Sequence, residues 1–250
     1  MGATRSLVDD YLDRLGALLE RFRRTQRDPL TRAAALLAES LQQGGVVHLF
    51  GTGHSHMIAE EVFYRAGGLI PVDAMLDGSV VLSGGAVRTT DTERTSGAAA
   101  AIAARYDLRA GDVGVVISHS GRNPAPVEMA LLMKRRAMAV VAVTSVGHSA
   151  ALPALHPPGA RLFEVADVVL DTGGAYGDAA LVLPGARQPV GPTSTVIGTA
   201  IIQALVLAAM ERIVLAGASI VNLPSGNVPQ TDVSEVLTEM QKYRQRIRHL

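Results

Sequence analysis

The chain has 250 residues, is 48% hydrophobic and 18% charged, and balances 23 Lys and Arg against 23 Asp and Glu. That composition allows a sizeable core, argues against disorder, and lacks the basic excess of a nucleic-acid binder. The sequence has no cysteine, which excludes disulfides, thiolate nucleophiles and Cys-based metal sites.

Residues 4 to 26 place Val8, Tyr11, Leu15, Leu18, Leu19 and Phe22 at three- and four-residue spacing, which predicts one amphipathic helix. This charge-rich segment does not resemble a secretory leader, so a cytoplasmic location is expected. In "RDPL", Asp28 reads as an N-cap and Pro29 as the first helical residue of a second helix. That helix carries Leu30, Ala33, Ala34, Leu37 and Leu41 on one face and ends at "QQGG".

Short apolar runs then alternate with helical stretches. "VVHLF", "VGVVIS", "AVVAVTS", "DVVLD" and "AALVLP" read as parallel strands buried on both faces, and "GLIPVDAML" is a further candidate. "TAIIQALVLAAMERIVLAGASI" is the most apolar segment, but Gln203, Glu211 and Arg212 interrupt it. It predicts a helix in a large core or at a subunit interface rather than a membrane span. The expected whole is a single α/β domain over residues 1–250. Residues 1–28 are expected to pack in a dimer, and residues 218–250 to form a C-terminal loop and helix.

In parallel sheets, ligands bind where strands end and helices begin. Here the strand ends carry "GTGHS", "SHSGRNP", "TS" and "GARQPVGPTST". The recurrence of glycine and small hydroxyl residues points to an anion. A dinucleotide fingerprint fails because His56 stands where its third glycine belongs, and no Gly-Lys-Ser/Thr is present for a P-loop. The only lysines, Lys134 and Lys242, sit among polar residues of helical segments and offer no Schiff-base candidate. A phosphomonoester fits better. Gly51 and Gly53 allow close backbone approach, and Ser55 falls in the first turn of a helix, where free N–H groups favour an anion. Ser118, Ser120, Asn123 and Arg122 supply further donors around Gly121.

"GTGHS" followed by "SHSGRN" resembles the paired loops of the SIS (sugar isomerase) domain family, and "GPTSTVIGTAIIQAL" is similar to the start of a later family helix. The resemblance runs over about residues 30 to 216. It implies a flavodoxin-like three-layer α/β/α sandwich with about five parallel strands, here preceded by an N-terminal helical pair. It also implies a homodimer with shared sites and a small phosphosugar ligand; no cofactor or metal is expected, and the balanced charge and interrupted apolar segment argue against a nucleic-acid or membrane partner. Ser55, Ser118, Ser120 and Asn123 carry over as phosphate ligands. Gly53, His119, Arg122, Asp77, Thr193 and Ser194 complete the expected binding set. "GTGHSHMIAEEVFYRAGG" and "LPSGN" are nearest to bacterial members acting on N-acetylglucosamine 6-phosphate, including a dehydratase.

Isomerisation of a sugar phosphate and elimination of its C3 group both begin with loss of the C2 proton to a carboxylate. Glu60 and Glu61 lie on the helix after the first loop, and Glu61 is roughly 9 Å along it from Ser55. The predicted core stripe is Ile58, Ala59, Val62, Phe63 and Ala66, so both glutamates fall beside it. Glu61 also has Arg65 at i+4, the spacing of a surface ion pair. SIS isomerases use a glutamate in this helix, which favours Glu61. Phosphoheptose isomerases pair it with a histidine on a later helix, and residues 195 to 216 here have none. His54 and His56 are then the candidate acids. Asp77, Glu93 and Asp178 stand in loops rich in Gly, Ser and Thr, and His54, His56 and His119 form a conceivable imidazole set for a metal. Dehydration is the expected reaction. The alternatives are an aldose–ketose isomerase and a phosphosugar sensor without turnover.

Overall fold

In the structure, a computed structural model describing residues 6–157, 159–229 and 232–250, five parallel strands form the central sheet. They are β1 (Val47–Gly51), β2 (Val72–Ala74), β3 (Val113–Ile117), β4 (Ala139–Thr144) and β5 (Val168–Asp171), in the order β2-β1-β3-β4-β5. Val47 pairs in register with both Val72 and Val113. The side chains of β1 and β3 are buried on both faces, as their unbroken apolar runs require. The strand order reverses at β1, which opens a crevice at the carboxyl ends of β1 and β3.

Ten helices among the described residues surround this sheet: α1 (Leu7–Thr25), α2 (Arg27–Gln42), α3 (Ser55–Glu61), α4 (Ala86–Arg94), α5 (Ala98–Ala103), α6 (Pro124–Arg135), α7 (Val146–Ala150), α8 (Leu162–Val165), α9 (Ser194–Leu215) and α10 (Ser234–Tyr243). One core packs Leu18, Leu37, Ile58, Ile201 and Leu205 of α1, α2, α3 and α9 against Leu49, Val115 and Val143. The other packs Ile102, Val127, Met129 and Leu162 of α5, α6 and α8 against Phe50, Val116 and Ala142. The result is three layers. Helix α9 is long and apolar enough to cross a membrane by length and composition alone. Here its Ile197, Ile201, Ile202, Leu205 and Ile213 are buried, and it packs against α2 and α3.

Several boundaries depart from the sequence reading. "AALVLP" contributes no strand to the main sheet. Ala179–Leu181 forms β6, a half-exposed strand paired antiparallel with β7 (Val190–Pro192). Two alanines give that strand little side chain to bury between helical layers. Its place in the five-strand count is taken by β2, from "GLIPVDAML". Helices α1 and α2 are separated only by Gln26, so Asp28 and Pro29 lie inside α2 rather than capping it. Ser6 caps α1 by accepting from the Asp9 amide. Helix α3 stops at Glu61, one turn short of the predicted stripe, leaving Phe63 half-buried and Ala66 exposed.

Candidate functional site

The first loop leaves β1 at Gly51 and turns through Thr52, Gly53 and His54 into α3. A Cβ at Gly51 would lie 2.4 Å from the Ser55 carbonyl oxygen, so the turn closes only on glycine. The expectation of free amides is corrected here. The N–H groups of Gly53, Ser55 and His56 donate to the carbonyls of Val80, Thr52 and Gly53, at 3.0, 3.0 and 3.2 Å. His54 is exposed at the helix start. His56 is buried, its Nδ1 bonded to the Gly53 carbonyl and its Nε2 3.8 Å from Glu60. The carbonyl fixes the proton on Nδ1, so His56 shapes the loop. Glu60 is exposed. Glu61 is half-buried, accepts from Gln203 Nε2 of α9 at 3.2 Å, and lies 3.4 Å from Arg65. The i,i+4 pair foreseen in the sequence is present, together with a partner on α9.

The second loop joins β3 to α6. Ser118 is buried and its hydroxyl accepts the Gly121 amide at 3.1 Å, which folds the loop back on itself. Gly121 has φ +55°, as does Gly53 in the first loop, so both turns use the left-handed region. Ser120 and Arg122 are half-buried, and the Arg122 Nε is buried without a hydrogen-bond partner. Asn123 donates through Nδ2 to Glu93 Oε1 at 2.7 Å. Glu93 lies in α4 rather than in a loop, and it holds the amide of an expected phosphate ligand.

"DTGGAYGD" after β5, residues 171–178, ties these loops together. Asp171 accepts from Arg21 of α1 and from the Val146 amide. The Gly174 carbonyl accepts from Ser145, and the Ala175 carbonyl from His119 Nε2 at 3.0 Å. The Gly177 amide donates to His148 Nδ1. Asp178 then caps α9. It accepts the amides of Thr193 and Ser194 at 2.9 and 2.7 Å and the Ser194 hydroxyl at 2.7 Å. Burial pushes the Asp178 carboxyl up, but those hydrogen bonds outweigh it and leave it below the usual carboxylate range. Thr193 and Ser194 thus meet a carboxylate from their own chain. Ser55, His119, Thr172 and Ser194 line a crevice of only about 10 Å³ over Ile58, Ile117, Val143 and Gly198, room for about one water.

The SIS domain family matches residues 10–145 of this chain. The chain belongs to the SIS domain family. It is 37% identical over 241 residues to the UPF0309 protein of Geobacillus thermodenitrificans, covering 96% of each chain. It is 39% identical over 244 residues to a UPF0309 protein of Geobacillus kaustophilus, again covering 96% of each. Its fold is similar to that of a phosphoheptose isomerase from Francisella tularensis, at 17% identity and TM-score 0.56, covering 83% of this chain and all of the other.

Within this SIS chain, Asp77 is not among the residues that line the crevice. Its carboxylate accepts from the Ser79 amide and hydroxyl and pairs with Arg105. Burial raises its carboxyl, but Ser79 and Arg105 bring it below the ordinary range. His54, His56 and His119 are not gathered: among the described residues, no set of three His, Asp or Glu side chains stands at metal-holding spacing. A wider cavity, lined by Leu69, Pro71, Ile213 and Tyr243, lies near the amino ends of β1 and β2, away from both loops.

Three features escaped the sequence reading. His148 and Tyr176 extend an aromatic row from His119. The two imidazoles stack at 4.9 Å, and Tyr176 meets His148 edge-on at 5.1 Å. His148 follows "AVVAVTS", so the strand-end rule pointed at its neighbourhood. Gln203 looked like a polar break in an apolar helix. His48, inside an apolar strand, is fully buried between Asp73 and Asp112, at 2.9 and 3.2 Å. Nothing in the local pattern "VVHLF" signals those partners.

Proposed function

We propose that this SIS protein is a phosphosugar enzyme acting on an amino-sugar 6-phosphate, with N-acetylglucosamine 6-phosphate as the first candidate. The observation that carries this reading is the placement of the Ser55 loop and the Ser118–Asn123 loop at the carboxyl ends of the paired strands β1 and β3, with Glu61 farther along the helix that Ser55 begins. The hydroxyls of Ser55, Ser118 and Ser120, with Arg122 beside them, suit a phosphate. Hydrogen bonds to a charged ligand contribute roughly 1.5–3 kcal/mol each, so a few such donors suffice without a lysine.

In this reading Glu61 removes the C2 proton. Its half-buried carboxylate, ordered by Gln203 and Arg65, suits a base better than the exposed Glu60. The C3 hydroxyl then takes up a proton and leaves as water while a C2–C3 double bond forms, which completes a dehydration. The fold shared with a phosphoheptose isomerase supports a second reading, in which the same proton returns to C1 and the product is an isomer. A cytoplasmic location and a homodimer accompany both. The test is incubation with a panel of 6-phosphosugars followed by mass spectrometry. A product lighter by one water identifies dehydration, and an altered sugar of unchanged mass identifies isomerisation. Tight binding with no product from any sugar sinks the enzyme reading in favour of a sensor.

A further inference from the structure

The cavity near the amino ends of β1 and β2 has a volume of about 580 Å³, a size that takes a small organic molecule. It lies between α10 on one side and the ends of α2 and α9 on the other. Its floor is apolar, built by Leu41, Leu69, Pro71, Ile213, Ile220 and Val221. Its α10 edge carries Glu235, Glu239, Lys242 and Tyr243. The sugar chemistry proposed above uses none of this space, because the two loops stand at the opposite ends of the strands.

Tyr243 is only 7% exposed, and its ring packs with Val46, Ile70, Leu223 and Ile247. Its hydroxyl makes no hydrogen bond to any described residue, yet the oxygen is open to solvent rather than sealed in. The cavity is the open space that this residue lines. A phenol buried to this degree ordinarily finds a hydrogen-bond partner. Burial, with Glu239 close by, pushes the phenol above its usual range, so it stays protonated and can both donate and accept.

Glu235, Glu239 and Tyr243 follow one another at four-residue spacing, so they form one row along α10. Lys242 pairs with Glu239 at 2.5 Å, and Glu235 is the surplus charge of the lining. A carboxylate accepts more than one donor, so Glu239 keeps acceptor capacity beside the Tyr243 oxygen. An anion entering here meets net repulsion, whereas an ammonium group meets acceptors and opposite charge.

We propose that this cavity is a second ligand site, and that it takes a small amine. The apolar body of the amine covers the floor. Its ammonium group sits at Glu239 beside the Tyr243 hydroxyl, with Glu235 adding the second negative charge.

The chain has no tryptophan, so indole fluorescence belongs to an added ligand alone. The test titrates the full chain with tryptamine and with indole-3-propionate, which share an apolar body and differ in the sign of their charge. Tryptamine is expected to bind saturably and about tenfold or more tighter than the carboxylate. Tyr243→Phe keeps the ring in its packing and is expected to weaken tryptamine by about three- to tenfold. Glu235→Gln is expected to narrow the gap between the two ligands. Tyrosine-selective NMR of the wild type locates the ligand without any substitution, and the Tyr243 ring signal is expected to shift with tryptamine. Absence of saturable tryptamine binding, equal affinity for the two ligands, or binding that leaves the Tyr243 signal in place overturns the proposal. Unchanged tryptamine affinity in Tyr243→Phe does so as well. None of these outcomes touches the phosphosugar reading, whose residues lie at the other ends of the strands.

Discussion

Gln203 donates a hydrogen bond to Glu61 across the α3–α9 contact, from Nε2 to Oε1 at 3.2 Å. A neutral donor on one side and Arg65 on the other hold the carboxylate in one orientation at the end of α3. The arrangement gives Glu61 a defined position although α3 is only 7 residues long.

Glu61→Gln is expected to lower turnover of the phosphosugar by roughly 10²-fold or more, the range lost with a general base, while ligand affinity holds. Glu60→Gln is expected to leave turnover within a few-fold. Steady-state kinetics on whichever sugar the panel identifies compares the two. Equal losses in both variants would contradict the assignment of the base.

Asp178 fixes the start of α9 and sits at φ +71°, a conformation that aspartate tolerates better than most residues. Asp178→Ala removes three short hydrogen bonds at once and leaves the amides of Thr193 and Ser194 without their acceptor. A loss of about 1–3 kcal/mol in urea denaturation is expected. Unchanged stability would mean that water or a neighbour replaces the cap.

Stability should fall at both ends of the pH range because of the buried Asp73–His48–Asp112 row. Burial pushes the Asp112 carboxyl up, but His48, the amides of Val46 and Arg109, and Arg246 bring it down to about 2. Its contribution is present above the unfolded value of 3.8 and is lost as pH falls from there through about 2. From those two values it is worth about 2 kcal/mol. His48 behaves oppositely. Burial opposes its charge, but hydrogen bonds to Asp112 and Asp73 raise it above 6.5. Its contribution is therefore full below 6.5 and lost as pH rises through the folded value. Urea denaturation across pH should show a plateau between these limits. Asp112→Asn should flatten the acid limb, and an acid limb identical to wild type would remove Asp112 as its source.

Val196, Leu207, Val214 and Leu215 of α9 are exposed, as are Val8 and Leu12 of α1. A homodimer covering this surface is expected to appear in light scattering as twice the chain mass, and Leu207→Glu is expected to shift it toward the monomer. A wild type that stays monomeric at tens of micromolar would exclude this use of the face.

The sequence by itself determined the layers and the two loops. Unbroken runs such as "VGVVI" have no polar face to turn toward water, so they bury on both sides, and the glycine and serine loops follow from where those runs stop. The same local logic misplaced "AALVLP", whose short alanine-rich run carries no information about which strand it will pair with. It could not choose between Glu60 and Glu61 either, since both stand beside the same stripe. Only the tertiary structure brings Gln203, 142 residues away, to Glu61. It likewise set His119 against Ala175, Asp178 beneath Ser194, and His48 between two aspartates. Each of those pairings joins residues distant in the chain, and a hydrogen-bond partner supplied from another element leaves no mark on the local periodicity of either segment.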